Sequence, residues 1–338
     1  MKRFLAYSAI SRSIPKLRTY RIAPPLCLLV VALVGVFGCI NRTDAQKLAE
    51  SGLATASTLA SYYDALGQQV DDLVEMEAFN NVLRGLTPAD TRSYQGEMQH
   101  TKEALQRRSR LARQLAASYQ SLKDLSSYDA SGEVSNSFGK LSQALAGIPP
   151  LTSLSKTAPA GPAVDPSQLL SKGLSFLASW KQSRDIDQAV RGMTETLEGL
   201  DALFLNELPA CQSVAEEHVE KTSVLASELI KKNQVIVWPL LEQDLESIGL
   251  KLAHPDQPPN DQAVAAALAA VVQARASRLQ TLANSAGQSL LDALNRQLSS
   301  QRQFQAKQGI SVSDIQAAIE KANAYLDEMA KQRQSAKH

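Results

Sequence analysis

Leu59, Tyr63, Leu66, Val70 and Leu73 follow one another at alternating steps of four and three. That spacing keeps one apolar edge turned the same way along successive turns of α-helix, and such an edge is buried best against another helix. A strand cannot use it, because a period of two would scatter these side chains over both faces. The same stepping returns at Leu170, Leu174 and Leu177, and again from Ile186 through Val190, Met193, Leu197 and Leu200 to Phe204. A chain carrying several such seams is constrained to pack helix on helix. Aromatic residues are only 5% of it, which also suits long helices better than sheets.

Capping residues divide the chain into about seven helices. The first runs from Thr43, an N-cap followed by Asp44, to about Arg84, where Gly85 ends it. Thr87-Pro88-Ala89-Asp90 restarts the helix, which continues to about Tyr128. So short a turn makes these two an antiparallel pair, and residues equidistant from Leu86–Pro88 lie level. Asp71 is then expected beside Lys102, and Asp64 beside Arg110. Asp72, Arg107 and Arg108 read as members of the same flanking ion pairs, each contributing about 0.2–1 kcal/mol and setting register more than stability. A shorter helix covers Glu133 to Leu145.

Pro149, Pro150, Pro159 and Pro162 punctuate the stretch from Gly147 to Asp165, which reads as a linker. Asp165-Pro166 opens the next helix. Pro209 is expected to begin another, reaching about Leu252 and kinked at Pro239. Three prolines lie between His254 and Asn260; Asn260 then caps a helix to about Lys307, with Gly309 as its stop. Ser311 or Ser313 starts a last one through Ala330. A helix of 40 residues is roughly 60 Å long. The expected fold is all-α, an elongated antiparallel bundle of long helices with coiled-coil-like packing. Its expected parts are a hairpin plus short helix over 39–146, the linker 147–165, and a C-terminal bundle over 166–335.

The first 38 residues read differently. Lys2, Arg3, Arg12, Lys16, Arg18 and Arg21 are the only charges there, and an apolar run from Leu26 to Gly38 follows Pro24-Pro25. A basic leader before an apolar core is the secretory pattern, and the run is shorter than the ~20 residues that span a bilayer. The core closes on Val36-Phe37-Gly38-Cys39. Basic leader, apolar core, small residue and cysteine together resemble a bacterial lipoprotein signal peptide, although Phe37 is bulkier than that pattern prefers. The resemblance covers residues 1–39. It implies cleavage before Cys39, a diacylglycerol thioether on its sulfur, and a mature chain held on a membrane by lipid. Ile40 after the cysteine, where an Asp would signal retention, implies the outer membrane of the envelope, facing the periplasm.

Removing such a leader takes the 35 basic residues to 29 against 34 acidic ones, a net charge of −5. A mildly acidic body argues against nucleic acid as a partner and against docking on anionic lipid by charge alone. On the lipoprotein resemblance Cys27 would leave with the leader and Cys39 would be acylated, which would leave Cys211 alone and no internal disulfide.

The search for chemistry finds little. Glu97-Met98-Gln99-His100 has the Glu-x-x-His spacing of di-metal helix bundles, but those sites need a second such motif and two further carboxylates; Ala215 precedes His218 by three and Lys251 precedes His254. No metal or cofactor is expected. Asp71, Asp72, Glu75 and Glu77 form an acidic run that reads as a wet helix face rather than a paired-carboxylate site. There is no Gly-x-Ser-x-Gly elbow and no phosphate-cradling glycine loop. Cys211 falls near an expected helix start, where a thiolate is favoured, yet no histidine adjoins it. The most apolar stretch of the body is Val235, Ile236, Val237, Trp238, Pro239, Leu240 and Leu241: a buried kinked crossing, a docking patch for a partner, or the tip of a membrane-active hairpin. Trp180 and Trp238 are expected to pack together.

The expectation is therefore a lipid-anchored helical binding or scaffold module of the bacterial cell envelope. It is not expected to be an enzyme. It would meet the membrane through Cys39 and an envelope protein through its helical surface. The alternative from another class is a membrane-active, pore-forming type of helical protein.

Overall fold

The computed structural model describes residues 24–83, 85, 88–127, 131–151, 165–179, 185–231 and 262–335. Among them are seven helices and no strand: α1 (Pro24–Leu83), α2 (Pro88–Ser127), α3 (Ser131–Leu145), α4 (Pro166–Ser179), α5 (Ile186–Lys231), α6 (Gln262–Gln305) and α7 (Ser313–Ser335). The chain divides between Asn41 and Arg42 into two units. In the first, residues 24–41 are helical. The rest of the description concerns the second, residues 42–338.

The heptad seams are its core. Leu59, Tyr63, Leu66, Val70 and Leu73 are all buried. So are Val190, Met193, Leu197, Leu200 and Phe204 of α5, and Leu170 and Leu177 of α4. Tyr62 and Tyr63 of α1 meet Phe204 of α5 edge-on, with ring centroids 6.2 and 6.0 Å apart, and Tyr325 of α7 closes on Tyr62 at 6.1 Å. One continuous core includes Leu122, Leu141, Phe204, Leu290 and Tyr325. The proline-rich 147–165 stretch thus joins segments that share a core, where the sequence suggested two separate parts.

The α1–α2 hairpin has the expected register. Lys102 Nζ lies 2.6 Å from Asp71 Oδ1, and Lys123 Nζ lies 3.0 Å from Glu50 Oε1. Asp64 departs from expectation: its partner is Arg113, at 2.5 Å, one turn beyond Arg110. Gly85, at φ 68°, ends the connection into the turn, as a left-handed residue without a Cβ can.

Three helix ends differ from the sequence reading. Thr43 does not cap a helix start; it lies inside α1, which begins at Pro24. Pro209 does not start a helix; it lies inside α5. The carbonyl that its missing N–H would have met belongs to Leu205, and both residues are exposed, so water can take that acceptor without breaking the helix. α6 is closed by Lys307 rather than Gly309. Lys307 has φ 56°, its N–H reaches Phe304 O at 2.9 Å, and Gln308 N–H reaches Gln303 O at 2.9 Å. That pair of bonds is a Schellman closure built on a lysine where glycine is usual.

Elsewhere glycine governs how close helices come. A Cβ on Gly199 of α5 would lie 2.6 Å from the Leu169 carbonyl oxygen of α4, and one on Gly173 would lie 2.8 Å from the Thr196 Cα. These contacts are with backbone, so nothing flexible can yield. Gly199→Ala is expected to destabilise the fold by about 1–3 kcal/mol, although Ala normally improves a helix. Gly96→Ala, where a Cβ meets nothing within 4 Å, should instead gain up to about 1 kcal/mol. Lys307→Gly should likewise gain up to about 1 kcal/mol by removing the left-handed strain. Urea unfolding of the three variants checks all three signs.

Candidate functional site

The chemistry of this fold gathers around the arginine-rich middle of α2. Its inward residues step as Thr101, Leu105, Arg108, Ala112, Leu115, Tyr119 and Leu122, all buried. Arg108 therefore occupies a seam position and is buried, not part of the exposed ion-pair flank expected for it. Glu207 occupies the next seam position after Phe204 on α5, and it too is buried. Arg108 Nε donates to Glu207 Oε2 at 2.5 Å, and Nη2 donates to Oε1. Nη1 donates to the Ala104 carbonyl at 2.9 Å, and Nη2 also to the Pro149 carbonyl at 2.7 Å.

Burial drives the Glu207 carboxyl above the ordinary range, against the opposing pull of Arg108. For Arg108 burial works against the charge, but the bonds and charge of Glu207 outweigh it, and its pKa lies above the usual value. Cys211 lies one turn on. It is buried in mid-helix rather than near a helix start, and burial first, then Glu207, pushes its thiol far above the ordinary range. It has none of the character of a reactive thiolate.

The outward side of the same turns of α2 carries Arg107, Arg110 and Arg113. With Lys140 of α3 and the 146–148 segment they line a cleft of about 640 Å³. Arg107 Nη1 donates to the Gly147 carbonyl at 3.0 Å. Adjacent arginines thus hold the same segment from two sides, Arg107 at residue 147 and Arg108 at residue 149. Among the described residues, Arg110 Nε reaches its own helix, at Gln106 O, 3.4 Å away. No carboxylate among the described residues lines the cleft, although Asp64 lies 2.5 Å from Arg113.

The sequence-predicted residues fall elsewhere. Cys39 is within the span of α1, and its side chain lies outside the described residues, as do the stretch 235–241 and both tryptophans. The acidic run of α1 points several ways: Asp71 to Lys102, Asp72 to His218 Nε2 at 3.5 Å, and Glu77 to Lys221 at 2.5 Å. Lys221 also sits 4.3 Å from the centre of the Tyr94 ring. His100 and Glu97 are exposed on α2. Among the described residues, no three metal-ligating side chains come together. No helix there is long and apolar enough to cross a membrane.

No family model, curated protein or solved structure matches the chain.

The buried pair makes a clear prediction. Glu207→Leu leaves a guanidinium buried without its counter-charge and should cost about 3–5 kcal/mol. Adding Arg108→Met to that variant removes the orphaned charge and should restore much of the loss, short of the Ala104 and Pro149 carbonyls that lose their donor. Chemical denaturation of the single and double variants measures the recovery; a double variant weaker than Glu207→Leu alone would contradict it.

Proposed function

We propose that this protein is a lipid-anchored helical binding module of the bacterial cell envelope. The observation that carries the reading is the order of the first 39 residues: six basic charges without a carboxylate, an apolar run of signal length, then Gly38-Cys39. The body supports a presenting role over catalysis. Its largest charged pair, Arg108 with Glu207, is sealed inside and bonded to its neighbours. Some of its charged residues line surface clefts, Arg107, Arg110, Arg113 and Lys140 in one and Glu216, Glu217 and Glu220 in another. Such a body presents surfaces to a partner, which is a component of the same envelope.

A second reading keeps one observation of its own. Phe79, Val82 and Leu83, at the end of α1, are 46, 74 and 46% exposed. An apolar tip on a long helical hairpin is the feature a membrane-active protein would use. Dye release from liposomes by the purified full-length chain would favour that reading, and tight liposomes would remove it.

The anchor reading has a direct measurement. Expressed in a diderm bacterium, the protein should incorporate radiolabelled palmitate and fractionate with membranes. Cys39→Ser should abolish the label and cause the uncleaved precursor to accumulate. Mass spectrometry of the mature chain should find Cys39 as its acylated first residue. An unmodified Cys39, or a chain beginning elsewhere, would defeat the proposal.

A further inference from the structure

We infer that the basic cleft between α2 and α3 is a binding site for an organic phosphate of headgroup size. The inference rests on the envelope reading only for where that phosphate would be met; the recognition chemistry is the cleft's own. Four cations line the cleft: Arg107, Arg110, Arg113 and Lys140. Gln114 and Gln143 add neutral hydrogen-bonding groups to the same walls. Charge there is only partly spent. Asp64 takes Arg113 at 2.5 Å, and Arg107 gives one N–H to Gly147. Among the described residues, Arg110 makes a single long bond, to a backbone carbonyl.

Three guanidiniums set one helical turn or less apart favour a ligand with several acceptor oxygens in a plane or fork. Arginine meets phosphate this way, two parallel N–H bonds at a time, whereas lysine adds a point charge at the rim. The volume, about 640 Å³, exceeds what inorganic phosphate fills and falls in the range of small-molecule sites. The wall is also prepared before any ligand arrives. Arg107 and the buried Arg108 fix the backbone of residues 147 and 149, and the buried Ile148 lies between them. A preformed wall avoids part of the ordering cost that binding otherwise carries.

One phosphate chemistry has two sources here: an anionic phospholipid, or a soluble phosphate ester such as a phosphorylated glycan fragment. The test uses the purified full chain in a neutral detergent, titrated calorimetrically with two probes at constant ionic strength. The first probe is glycerol phosphate. The second is dihexanoyl phosphatidylglycerol below its micellar concentration, with the zwitterionic phosphatidylcholine of the same chain length as its control. Both sources predict saturable binding of at least one anionic probe, and no comparable binding of the phosphatidylcholine. Binding of glycerol phosphate assigns the site to soluble esters as well as lipids; binding of the phosphatidylglycerol alone assigns it to lipid.

Arg110→Gln with Lys140→Gln removes the two cations that have the least structural work. It should weaken binding by about tenfold or more, as expected for lost charge-assisted hydrogen bonds. Lys172→Gln with Lys321→Gln changes net charge equally away from the cleft and should leave affinity within about twofold, as exposed distant charges are screened. Failure of both anionic probes, or equal weakening by the two double variants, overturns the proposal. The palmitate label at Cys39 is read independently of these variants, so a missing anchor and a missing phosphate site are told apart.

Discussion

The ion pair between Arg108 and Glu207 is the constraint that other parts of this fold must satisfy. Each residue occupies a seam position where its helix otherwise presents apolar side chains. Neither could be buried with an apolar partner, because an unpaired charge in that interior would cost several kcal/mol. Only an arrangement that brings these two positions together is acceptable, so α2 and α5 are matched to each other in register. The remaining guanidinium hydrogens extend the constraint to the Pro149 carbonyl, which fixes the chain leaving α3. A single guanidinium therefore determines helix pairing, connection path and one wall of the basic cleft. Its contribution to net stability is modest by comparison with its contribution to selecting one packing, since a buried pair recovers little more than its own desolvation.

Further along the bundle, neutral polar groups fix register. Gln297 of α6 accepts from the Ser51 hydroxyl at 2.7 Å and donates to the Leu48 carbonyl at 2.9 Å. Gln301 donates to the Tyr119 hydroxyl at 2.6 Å. Both glutamines are fully buried. Shifting α6 by one turn would separate these bonds and leave amides in a low-dielectric interior, each at a cost of about 1–3 kcal/mol. Tyr119 also lies against Gly52, where a Cβ would lie 2.3 Å from its ring. Size and hydrogen bonding thus specify the same approach of α1 and α2. The leucine seams supply cohesion, and they would tolerate slippage; the polar rungs do not.

Much of this was legible in the chain. The seam from Leu59 to Leu73 is buried throughout, and the level placement of Asp71 with Lys102 follows from a short turn and the rise of a helix. What misled was charge. Arg108 belongs to a run of basic residues and was grouped with them, yet its spacing from Leu105, Ala112 and Leu115 already put it on the seam. Glu207 follows Phe204 by three in the same way. A charged residue at a seam position on each of two helices is the sequence signature of a buried pair, and period outranks composition in reading it. Pro209 and Lys307 could not be read so directly. A proline is tolerated inside a helix when the orphaned carbonyl faces water, and a lysine can take a glycine's conformation when two capping bonds repay the strain; both depend on tertiary surroundings.

The same lesson bears on the surface. A net charge near balance, or mildly negative once a leader is removed, argues against nucleic acid and against docking on anionic lipid by charge alone. Net charge, however, is a property of the whole chain, whereas a ligand responds to what lies within a Debye length, about 8–10 Å at physiological salt. Among the described residues the lining of a cleft can be of one sign while a counter-charge stands beside it: Asp64 lies 2.5 Å from Arg113, and Lys221 lies 3.5 Å from Glu217. The outward face of α2 and the neighbouring α3 bring Arg107, Arg110 and Arg113 together with Lys140, with no lining acid among the described residues. On α5, Glu216, Glu217 and Glu220 line a separate cleft of about 390 Å³ against α6, without a lining base among the described residues. Helices make this segregation simple, because residues three and four apart share a face while neighbours in sequence do not. Arg107 and Arg108 show the consequence most plainly: adjacent in the chain, they bind neighbouring carbonyls of one segment, one as an exposed cation at a cleft and the other as half of a sealed ion pair.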